Sequence, residues 1–283
     1  MKKILAAMMA LLAVLSLTAC AKDNAAESEK VLTVALSPDY SPMEFVDTSK
    51  SGQEQYVGFD VTLANYIADE LGMTLEIKPM SFDACQTAVQ LGNVDLGISG
   101  FSWTPDRAEN FAISDYYIAG DNETEQVIIT TADKAGAFSA AEDFAGLKVG
   151  AQAASLQEML CQQSLPESIE LVQFKDVNAG VLALQTGKID AMAVAKGNGE
   201  AIMANNADIA MSGFQFEVDP LYQNNVILLN KEDTALLEEV NKILAKAKAA
   251  DLYTGWYADA TALAGIASAA DVSYDDEGNV LEG

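Results

Sequence analysis

The stretch VDLGISGFSWTPDRAENFAISDYY, residues 94–117, contains the only arginine of this 283-residue chain, Arg107. Its apolar start, residues 94–98, predicts a short strand. Thr104 and Pro105 are typical of the N-cap and the first residue of a helix. A helix that begins just after a strand leaves several main-chain N–H groups unpaired near one point. The stretch therefore predicts an anion-binding site.

Arg107 falls in the first turn of the predicted helix. Its planar guanidinium can hold a carboxylate through two parallel hydrogen bonds, and each charge-assisted bond contributes roughly 1.5 to 3 kcal/mol. A surface arginine paired with Asp106, Glu109 or Asp115 is the alternative. Because every other basic residue of the chain is a lysine, we favour the anion site, where a guanidinium has a geometric advantage.

The composition limits both the fold and the partners. Half of the residues are apolar and the chain is long enough for one large or two modest domains. A formal charge of −26, from 42 acids and 16 bases, excludes nucleic acid as a partner and opposes binding to anionic lipid. The chain has no histidine, which excludes Ser-His-Asp and Cys-His catalysis.

The N-terminus has the pattern of an export signal. Residues 1–20 begin with lysines, continue with an apolar run and end with small residues before Cys20. The apolar run, residues 4–17, is shorter than a membrane span of about 20 residues. We expect residues 1–20 to be a signal peptide and residues 21–29 a flexible tether, and an ordinary export signal with an incidental cysteine is the alternative.

Strand and helix patterns alternate from Val31 onward, which predicts an α/β fold. Residues 37–54 are predicted to be loop, Asp60 is predicted to cap a helix that ends at Gly72, and residues 266–283 look like a frayed acidic tail. Strands are predicted at residues 31–36, 74–78, 94–98, 127–131, 147–151, 169–174, from 189 and 226–229. Helices are predicted at residues 60–71, 83–91, from 155, 176–186 and 233–249. The pairs Ser139 with Glu142 and Ser155 with Glu158 are predicted capping boxes.

A weak internal repeat suggests two similar lobes. Residues 92–96, GNVDL, match residues 187–191, GKIDA, and both mark a helix end followed by a strand. We predict a first lobe from residues 30–120 and 224–265 and a second lobe from residues 121–223. Two crossings, near residues 118–125 and 219–225, would form a hinge. Ligands of open α/β sheets bind outside the carboxyl ends of the strands, so the predicted site is a cleft between the lobes.

Two further cysteines, Cys85 and Cys161, lie in predicted helices of different lobes. An extracytoplasmic location permits a disulfide. We favour free buried thiols that pack as small apolar side chains.

The chain resembles the extracellular solute-binding proteins of family 3, which deliver polar amino acids to ABC importers. The resemblance spans roughly Val31 to Tyr257, and Leu17-Thr18-Ala19-Cys20 separately resembles the lipobox of bacterial lipoproteins. The motifs that carry the family resemblance are YSPMEF at residues 40–45, GFD at 58–60, FDA at 82–84, DLGISGFS at 95–102, TPDR at 104–107, FAISDYY at 111–117 and VGAQ at 149–152.

This resemblance implies a two-lobed, type II periplasmic-binding-protein-like fold with two hinge crossings and an interlobe ligand cleft. It implies that Arg107 holds the ligand α-carboxylate, helped by groups at Ser99, Gly100, Ser102 and Ser155. Tyr40 and Phe82 would enclose the ligand side chain, with Asp39 beside Tyr40, and packing in the core of the lobe is the alternative for both aromatic rings. Neither a catalytic residue nor a metal or cofactor is implied.

The sequence departs from the family at the position expected to pair with the ligand ammonium, where an acid is usual and this chain has Ala195. A second, smaller departure is Ala154, where the family has glycine. Either another acid, such as Asp39, Glu44 or Asp219, meets the amine, or the ligand is not an ordinary α-amino acid. Lys196 suggests a further hypothesis, a second anionic group on the ligand.

We therefore expect an extracytoplasmic, monomeric substrate-binding lipoprotein, anchored to the membrane by lipid on Cys20. It would pass a small carboxylate-bearing solute, such as a polar amino acid, to an ABC transporter permease. Two alternatives stay open at this point. The same fold hosts dehydratases that act on cyclic carboxylate precursors of aromatic amino acids, and a sensing receptor would dock on a signalling protein.

Overall fold

The computed structural model describes residues 30–117, 124–265, 273–274 and 280–281. The predicted signal, tether and Cys20 lie outside these residues, as does most of the predicted acidic tail. The first part of the described chain contains seven strands and three helices. They are β1 (Val31–Leu36), β2 (Asp39–Tyr40), β3 (Glu44–Val46), β4 (Tyr56–Val57), α1 (Phe59–Leu71), β5 (Thr74–Pro79), α2 (Phe82–Gln90), β6 (Leu96–Gly97), α3 (Pro105–Asn110) and β7 (Ala112–Ile113).

The chain then builds a second group of elements and returns to the first. The second group contains β8 (Gln126–Thr131), β9 (Lys148–Gln152), α4 (Leu156–Ser164), β10 (Glu170–Phe174), α5 (Val177–Gln185), β11 (Ala191–Ala195), α6 (Lys196–Asn205) and β12 (Ile209–Gln215). The last elements are β13 (Leu228–Leu229), α7 (Thr234–Ala249), α8 (Leu252–Ala264), β14 (Ser273–Tyr274) and β15 (Val280–Leu281).

Two five-stranded sheets give the protein its two lobes. The first sheet has the order β5-β1-β6-β13-β7, and the second has the order β10-β9-β11-β8-β12. In the first sheet β1 runs parallel to β5 and β6, whereas β13 is antiparallel to its neighbours. In the second sheet β9, β10 and β11 are parallel and β8 is antiparallel to β11. The α/β, two-lobed fold class is confirmed.

The residue ranges of the two sheets follow the predicted lobes. Strands of the first sheet lie within residues 31–113 and at Leu228–Leu229, and strands of the second lie within residues 126–215. The hydrophobic clusters of the described residues keep the same division, since each draws on one lobe. The lobe boundaries themselves stay a prediction, and residues 118–123 of the first predicted crossing lie outside the described part.

The carboxyl ends of the parallel strands place the functional loops. Strand β1 leads into Ser37, β6 leads into Ser99, and β9 ends at Gln152. Strand β8 runs antiparallel to β11, so its first residue, Gln126, pairs with Ala195 at the end of β11. These loop residues therefore collect at one edge of each sheet.

Several local predictions are wrong for reasons that lie outside the local sequence. Residues 37–54 are not a plain loop, because β2 and β3 pair within this segment and β3 pairs with β4. Asp60 does not cap α1, which begins at Phe59. The first N–H groups of that helix instead donate to the carbonyl oxygens of Pro42 and Met43, at 3.1 and 2.8 Å.

The two predicted capping boxes have different outcomes. Ser155 caps α4, and its Oγ accepts the Glu158 N–H at 3.1 Å as predicted, but the Glu158 carboxylate accepts the Ala154 N–H at 2.6 Å instead of the Ser155 N–H. Ser139 caps no α-helix, because residues 141–144 form a 3₁₀ turn. The carboxylate of Asp143, not that of Glu142, accepts the N–H groups before this turn.

Both cysteines of the described residues are free and buried, which confirms the prediction for Cys85 and Cys161. Burial is also the main reason why the pKa of each thiol is raised, to about 12 for Cys161. None of the helices in the described ranges has the length and apolar character to cross a membrane.

The turn before α1 requires a glycine. Gly58 has φ 122° and ψ −178°, a conformation that is essentially restricted to glycine. A Cβ atom there would lie 2.3 Å from the Met43 carbonyl oxygen, on a backbone that cannot move without breaking the bonds to Phe59 and Asp60.

We therefore predict that Gly58→Ala lowers the free energy of unfolding by about 3 kcal/mol or more, through strain and the clash together. The matched control is Gly52→Ala, at φ +61° with open space around it, which costs only about 1 kcal/mol. Urea denaturation of the two variants measures the difference. Equal costs would mean that the Gly58 turn is not constrained as described.

Candidate functional site

Arg107 occupies the position that its sequence predicts. Helix α3 begins at Pro105, and the Thr104 hydroxyl caps it by accepting the Arg107 N–H at 3.3 Å. The short helix thereby directs the Arg107 side chain inward, and only 3% of the residue is exposed. The alternative of a surface arginine paired with a neighbouring acid is not what the structure shows.

The guanidinium donates to three neutral oxygen atoms. Its Nη1 bonds the Ser102 carbonyl at 2.7 Å, its Nη2 the Ala154 carbonyl at 2.9 Å, and its Nε the Gln86 side-chain oxygen at 3.2 Å. Ala154 belongs to the second lobe, so Arg107 reaches across the cleft. Among the described residues, every ion pair has a lysine as its cation, so the Arg107 charge has no carboxylate partner there.

Two aromatic rings complete the surroundings of this charge. The guanidinium carbon lies 5.5 Å from the Phe82 ring centre and 5.2 Å from the Phe101 ring centre. Such contacts stabilise a cation through the ring quadrupole. Burial nevertheless lowers the pKa of Arg107 to about 10, with Asp106 opposing the shift. The side chain is therefore a cation at neutral pH, in a place where its charge is poorly hydrated.

A small cavity lies between the two lobes beside this guanidinium. Its volume is about 20 Å³, enough for about one or two water molecules. The lining residues come from both lobes: Tyr40, Phe82, Ser99, Gly100, Ser102, Arg107, Gln126, Gln152, Ser155, Leu156, Gln157 and Asn225. Since binding sites for small molecules measure roughly 300 to 1,000 Å³, the lobes are closed on each other here.

Direct hydrogen bonds hold the lobes together around the cavity. Besides the Arg107 bond to Ala154, the Asn198 side chain donates to the Ser41 carbonyl at 3.0 Å. The Gln86 amide also donates to the Ala154 carbonyl at 3.4 Å, and Asp39 accepts the Val177 N–H at 2.6 Å and the Gln152 amide at 3.1 Å. A ligand of amino-acid size enters only if these contacts separate.

Seven of the eight predicted ligand-binding residues line this cavity: Arg107, Ser99, Gly100, Ser102, Tyr40, Phe82 and Ser155. The Tyr40 ring covers Gly100, where a Cβ atom would lie 2.9 Å from the ring. Phe82 also packs on Phe101, with ring centres 4.7 Å apart. Both predicted aromatics thus combine a cavity wall with packing inside the lobe.

Two predicted anion donors are already used by buried acids. The Ser99 hydroxyl donates to Glu44 Oε1 at 2.5 Å and accepts the Ser37 N–H at 3.0 Å. The Gly100 N–H donates to Asp60 Oδ2 at 2.6 Å. In this structure both donors are used within the first lobe, and their part in holding an anion stays a prediction.

The acids behind this wall form a buried cluster. Glu44 and Asp60 are both fully buried, and Asp60 also accepts the Tyr117 hydroxyl at 3.0 Å. Burial, then the charge of Asp60, raises the pKa of Glu44 well above its ordinary value. Burial and the same acids raise the pKa of the Tyr117 hydroxyl. The cluster fixes the Ser99–Gly100 turn from behind.

Asp39 is the predicted ligand-binding residue that lies outside the cavity lining. Its Oδ1 accepts the Ser37 hydroxyl at 2.7 Å, and its Oδ2 accepts the two donors from the second lobe. Burial raises the pKa of Asp39 to about 7, with the hydrogen bonds from Ser37 and Val177 opposing the shift. The geometry favours a contact between the lobes over a contact with a ligand.

Ala195, Lys196 and Asp219 are not among the described residues that line the cavity. Ala195 is 1% exposed and leads from β11 into α6. Lys196 pairs with Glu125 at 3.0 Å, a partner within the protein for its charge. Asp219 caps a 3₁₀ turn by accepting the Leu221 N–H at 2.9 Å.

The cavity residues that sequence reasoning missed are mostly amides. Gln126, Gln152, Gln157 and Asn225 all face the cavity, and Gln157 donates to Gln126 Oε1 at 2.6 Å. Gln152 and Gln157 flank the predicted cap Ser155, so their place after a strand was an available signal. Gln126 lies at the start of an antiparallel strand. The rule that ligands bind outside the carboxyl ends of strands does not predict a site residue there.

Comparisons with known proteins agree with this geometry. The family model of bacterial extracellular solute-binding proteins, family 3, matches residues 32–259. The chain therefore belongs to this family. It is the substrate-binding component of an ABC importer and acts outside the cytoplasm.

Individual relatives cover nearly the whole match. The arginine-binding extracellular protein ArtP of Bacillus subtilis is 28% identical over 247 residues, which are 86% of this chain and 92% of ArtP. The structure of the substrate-binding protein AbpA of Streptococcus pneumoniae bound to L-arginine is 32% identical, with a TM-score of 0.75, and the match covers 84% of this chain and 97% of AbpA. An ancestral arginine-binding protein bound to glutamine is 27% identical, with a TM-score of 0.72, covering 82% and 97%. These relatives are binding proteins, and this chain likewise is not an enzyme, which removes the dehydratase alternative.

The raised pKa of Asp39 predicts a pH dependence of stability. The folded protein retains the Asp39 proton up to about pH 7, whereas the unfolded chain loses it near its ordinary value of 3.8. The folded state thus binds more protons between these values, so this group's contribution to stability falls as the pH rises from about 4 to about 7.

We predict that the free energy of unfolding of the natural protein, relative to Asp39→Asn, falls across this range, as measured by urea denaturation at several pH values. Asp143→Asn is a control of opposite sign, since hydrogen bonds from Ser139 and Ala140 lower the pKa of Asp143. Its contribution is lost as the pH falls below about 4. If the difference in unfolding free energy between the natural protein and Asp39→Asn does not change with pH, the raised pKa of Asp39 is contradicted.

Proposed function

We propose that Arg107 binds the carboxylate of a small polar amino acid in the cleft, and that the closed complex delivers this solute to an ABC transporter permease. The observation that carries the proposal is a buried guanidinium with no carboxylate partner among the described residues. A buried charge without an opposite charge is costly to the folded state. A ligand carboxylate supplies the missing partner.

The geometry supports a bidentate contact between Arg107 and a ligand carboxylate. Nη1 and Nη2 of Arg107 now bond the carbonyls of Ser102 and Ala154, and a carboxylate would replace these by charge-assisted bonds of roughly 1.5 to 3 kcal/mol each. Ser102 and Asn225 lie opposite each other on antiparallel main-chain segments but do not bond to each other, because the residues on either side make the hydrogen bonds between the two segments. The Ser102 N–H group is therefore placed to help. Ser155, at the start of α4, faces the cavity from the other lobe.

Ligand binding and closure are coupled through these walls. Tyr40 and Phe82 belong to the first lobe, and Leu156 and Gln157 belong to the second. A solute that touches both pairs stabilises the closed state through contacts that the open state lacks. The relatives that were crystallised with arginine or glutamine support an amino acid as the ligand.

We further propose that the protein is a monomer, anchored to the membrane by lipid on Cys20. Its support is the lipobox-like sequence and the polar residues that follow it. Two acyl chains hold a protein at a membrane where one does not. The tether, residues 21–29, would let the lobes reach the permease.

We predict that Arg107→Lys weakens binding of the ligand about tenfold or more, because lysine keeps the charge but loses the planar pair of donors. A thermal-shift screen of the common L-amino acids identifies the ligand, and calorimetry measures its affinity. Lys148→Arg, at an exposed pair with Glu170, is the matched control and should leave affinity unchanged. If Arg107→Lys folds normally and binds as tightly as the natural protein, the proposed site is wrong.

We predict that Cys20→Ala moves the protein from the membrane fraction to the soluble fraction of expressing bacteria. Mass spectrometry of the natural protein should find a lipid on the N-terminal cysteine. Ser28→Ala in the tether is the control and should stay with the membrane. Retention of Cys20→Ala in the membrane fraction would contradict the anchor.

A further inference from the structure

The cavity wall carries very little charge. Of its twelve described lining residues, Arg107 is the one with an ionised side chain, and the wall contains no carboxylate. The polar surface is instead supplied by three glutamines, an asparagine and three serines. If Arg107 holds the ligand carboxylate, as proposed above, the rest of the ligand meets uncharged groups.

Three buried acids of the first lobe accept hydrogen bonds from the residues that form or support the cavity wall. Both oxygens of Asp39 accept bonds from Ser37, Gln152 and Val177. Glu44 accepts the Ser99 hydroxyl, and Asp60 accepts the Gly100 N–H and the Tyr117 hydroxyl. These bonds hold the wall in place, and none of the three acids is among the described residues that line the cavity.

The second lobe likewise has no carboxylate among the described residues that line the cavity. Ala195 has a methyl group at the end of β11, and the following Lys196 is already paired with Glu125. The polar wall on this side consists of Gln126, Gln152 and Gln157. Side-chain amides both donate and accept hydrogen bonds, which suits an amide, ureido or hydroxyl group.

The main chain can accommodate the ammonium of a zwitterion. When a carboxylate takes the Arg107 donors, the Ser102 carbonyl loses this partner and the Ala154 carbonyl keeps the Gln86 amide, at 3.4 Å. An ammonium beside the carboxylate then supplies donors to these oxygens. The carboxylate and ammonium of an amino acid thereby both have hydrogen-bonding partners without an acidic side chain. A second cation further along the ligand would have no such partner.

We propose that the protein selects amino acids with an uncharged polar tail and discriminates against arginine and lysine. A cationic tail would be buried near Arg107 with no carboxylate on the described wall, which is unfavourable in a closed site. An anionic tail would find no second cation on the described wall to pair with. The strongly negative protein as a whole attracts cations, so a preference for uncharged tails has to come from the wall.

Two isosteric ligand pairs test this proposal by calorimetry at pH 7.5. L-Citrulline replaces the guanidinium of L-arginine by a ureido group, and L-glutamine replaces the second carboxylate of L-glutamate by an amide. We expect the uncharged member of each pair to bind at least tenfold more tightly. Arginine or glutamate binding as tightly as its uncharged counterpart would overturn the proposal, and so would failure of both uncharged members to bind.

A variant of the wall gives the converse test. Gln126→Glu adds a carboxylate with the same shape and keeps the acceptor for Gln157. We expect the citrulline-to-arginine affinity ratio to fall at least tenfold. The matched control is Gln163→Glu on the exposed side of α4, which should leave the ratio unchanged. An unchanged ratio in folded Gln126→Glu would count against the proposal.

The test separates this inference from the proposed site. Arg107→Lys should weaken binding of both members of each pair and leave their ratio nearly unchanged. If it weakens both while arginine is the preferred ligand, the site stands and the inference about the tail fails. If it weakens neither, the proposed site itself fails.

Discussion

The structure depends on one buried positive charge that the protein does not neutralise. Arg107 lies beside two aromatic rings that pack on each other and donates to carbonyls from both lobes, yet no carboxylate of the described residues pairs with it. Neutral acceptors and ring contacts make this burial tolerable. They also leave the cation without an opposite charge among the described residues, which is the property that a receptor for small carboxylates needs.

The acids of this very acidic chain are kept away from that charge by the protein's own hydrogen bonds. Glu44 and Asp60 accept donors from Ser99 and Gly100, so the turn after β6 is held from behind. Asp39 is occupied by donors of the second lobe. These three buried acids thus position the wall or join the lobes. The cavity therefore keeps a positive centre inside a protein of charge −26.

The sequence predicted those features that are encoded locally. The start of α3 follows from Thr104-Pro105, and the alternation of strands and helices follows from apolar spacing and glycine stops. Strands β2 and β3 were missed because they are very short and their pairing is not visible in hydrophobic periodicity. Helix α6 was missed because Gly197 and Gly199 are poor helix formers, and packing of Gly199 against Val194 and Ile129 explains the second glycine. Strand β12 and helix α8 were not predicted either.

The same limit applies to the site. Its central residue was predictable because Arg107 is unique in the chain and follows a helix start. The directions of Ser99 and Gly100 were not, since their partners Glu44 and Asp60 lie 55 and 40 residues away in the chain. The amide wall combines residues from two strands, a helix and a return segment, and only the fold brings these together.

Because the chain has a single arginine, ¹⁵N-arginine labelling gives guanidinium NMR signals that need no assignment. If Arg107 holds the ligand carboxylate, saturating ligand should shift its Nε and Nη signals and slow rotation of the guanidinium group, so that the Nη signals separate. If a ligand that calorimetry proves to be bound leaves these signals unchanged, the central claim is wrong.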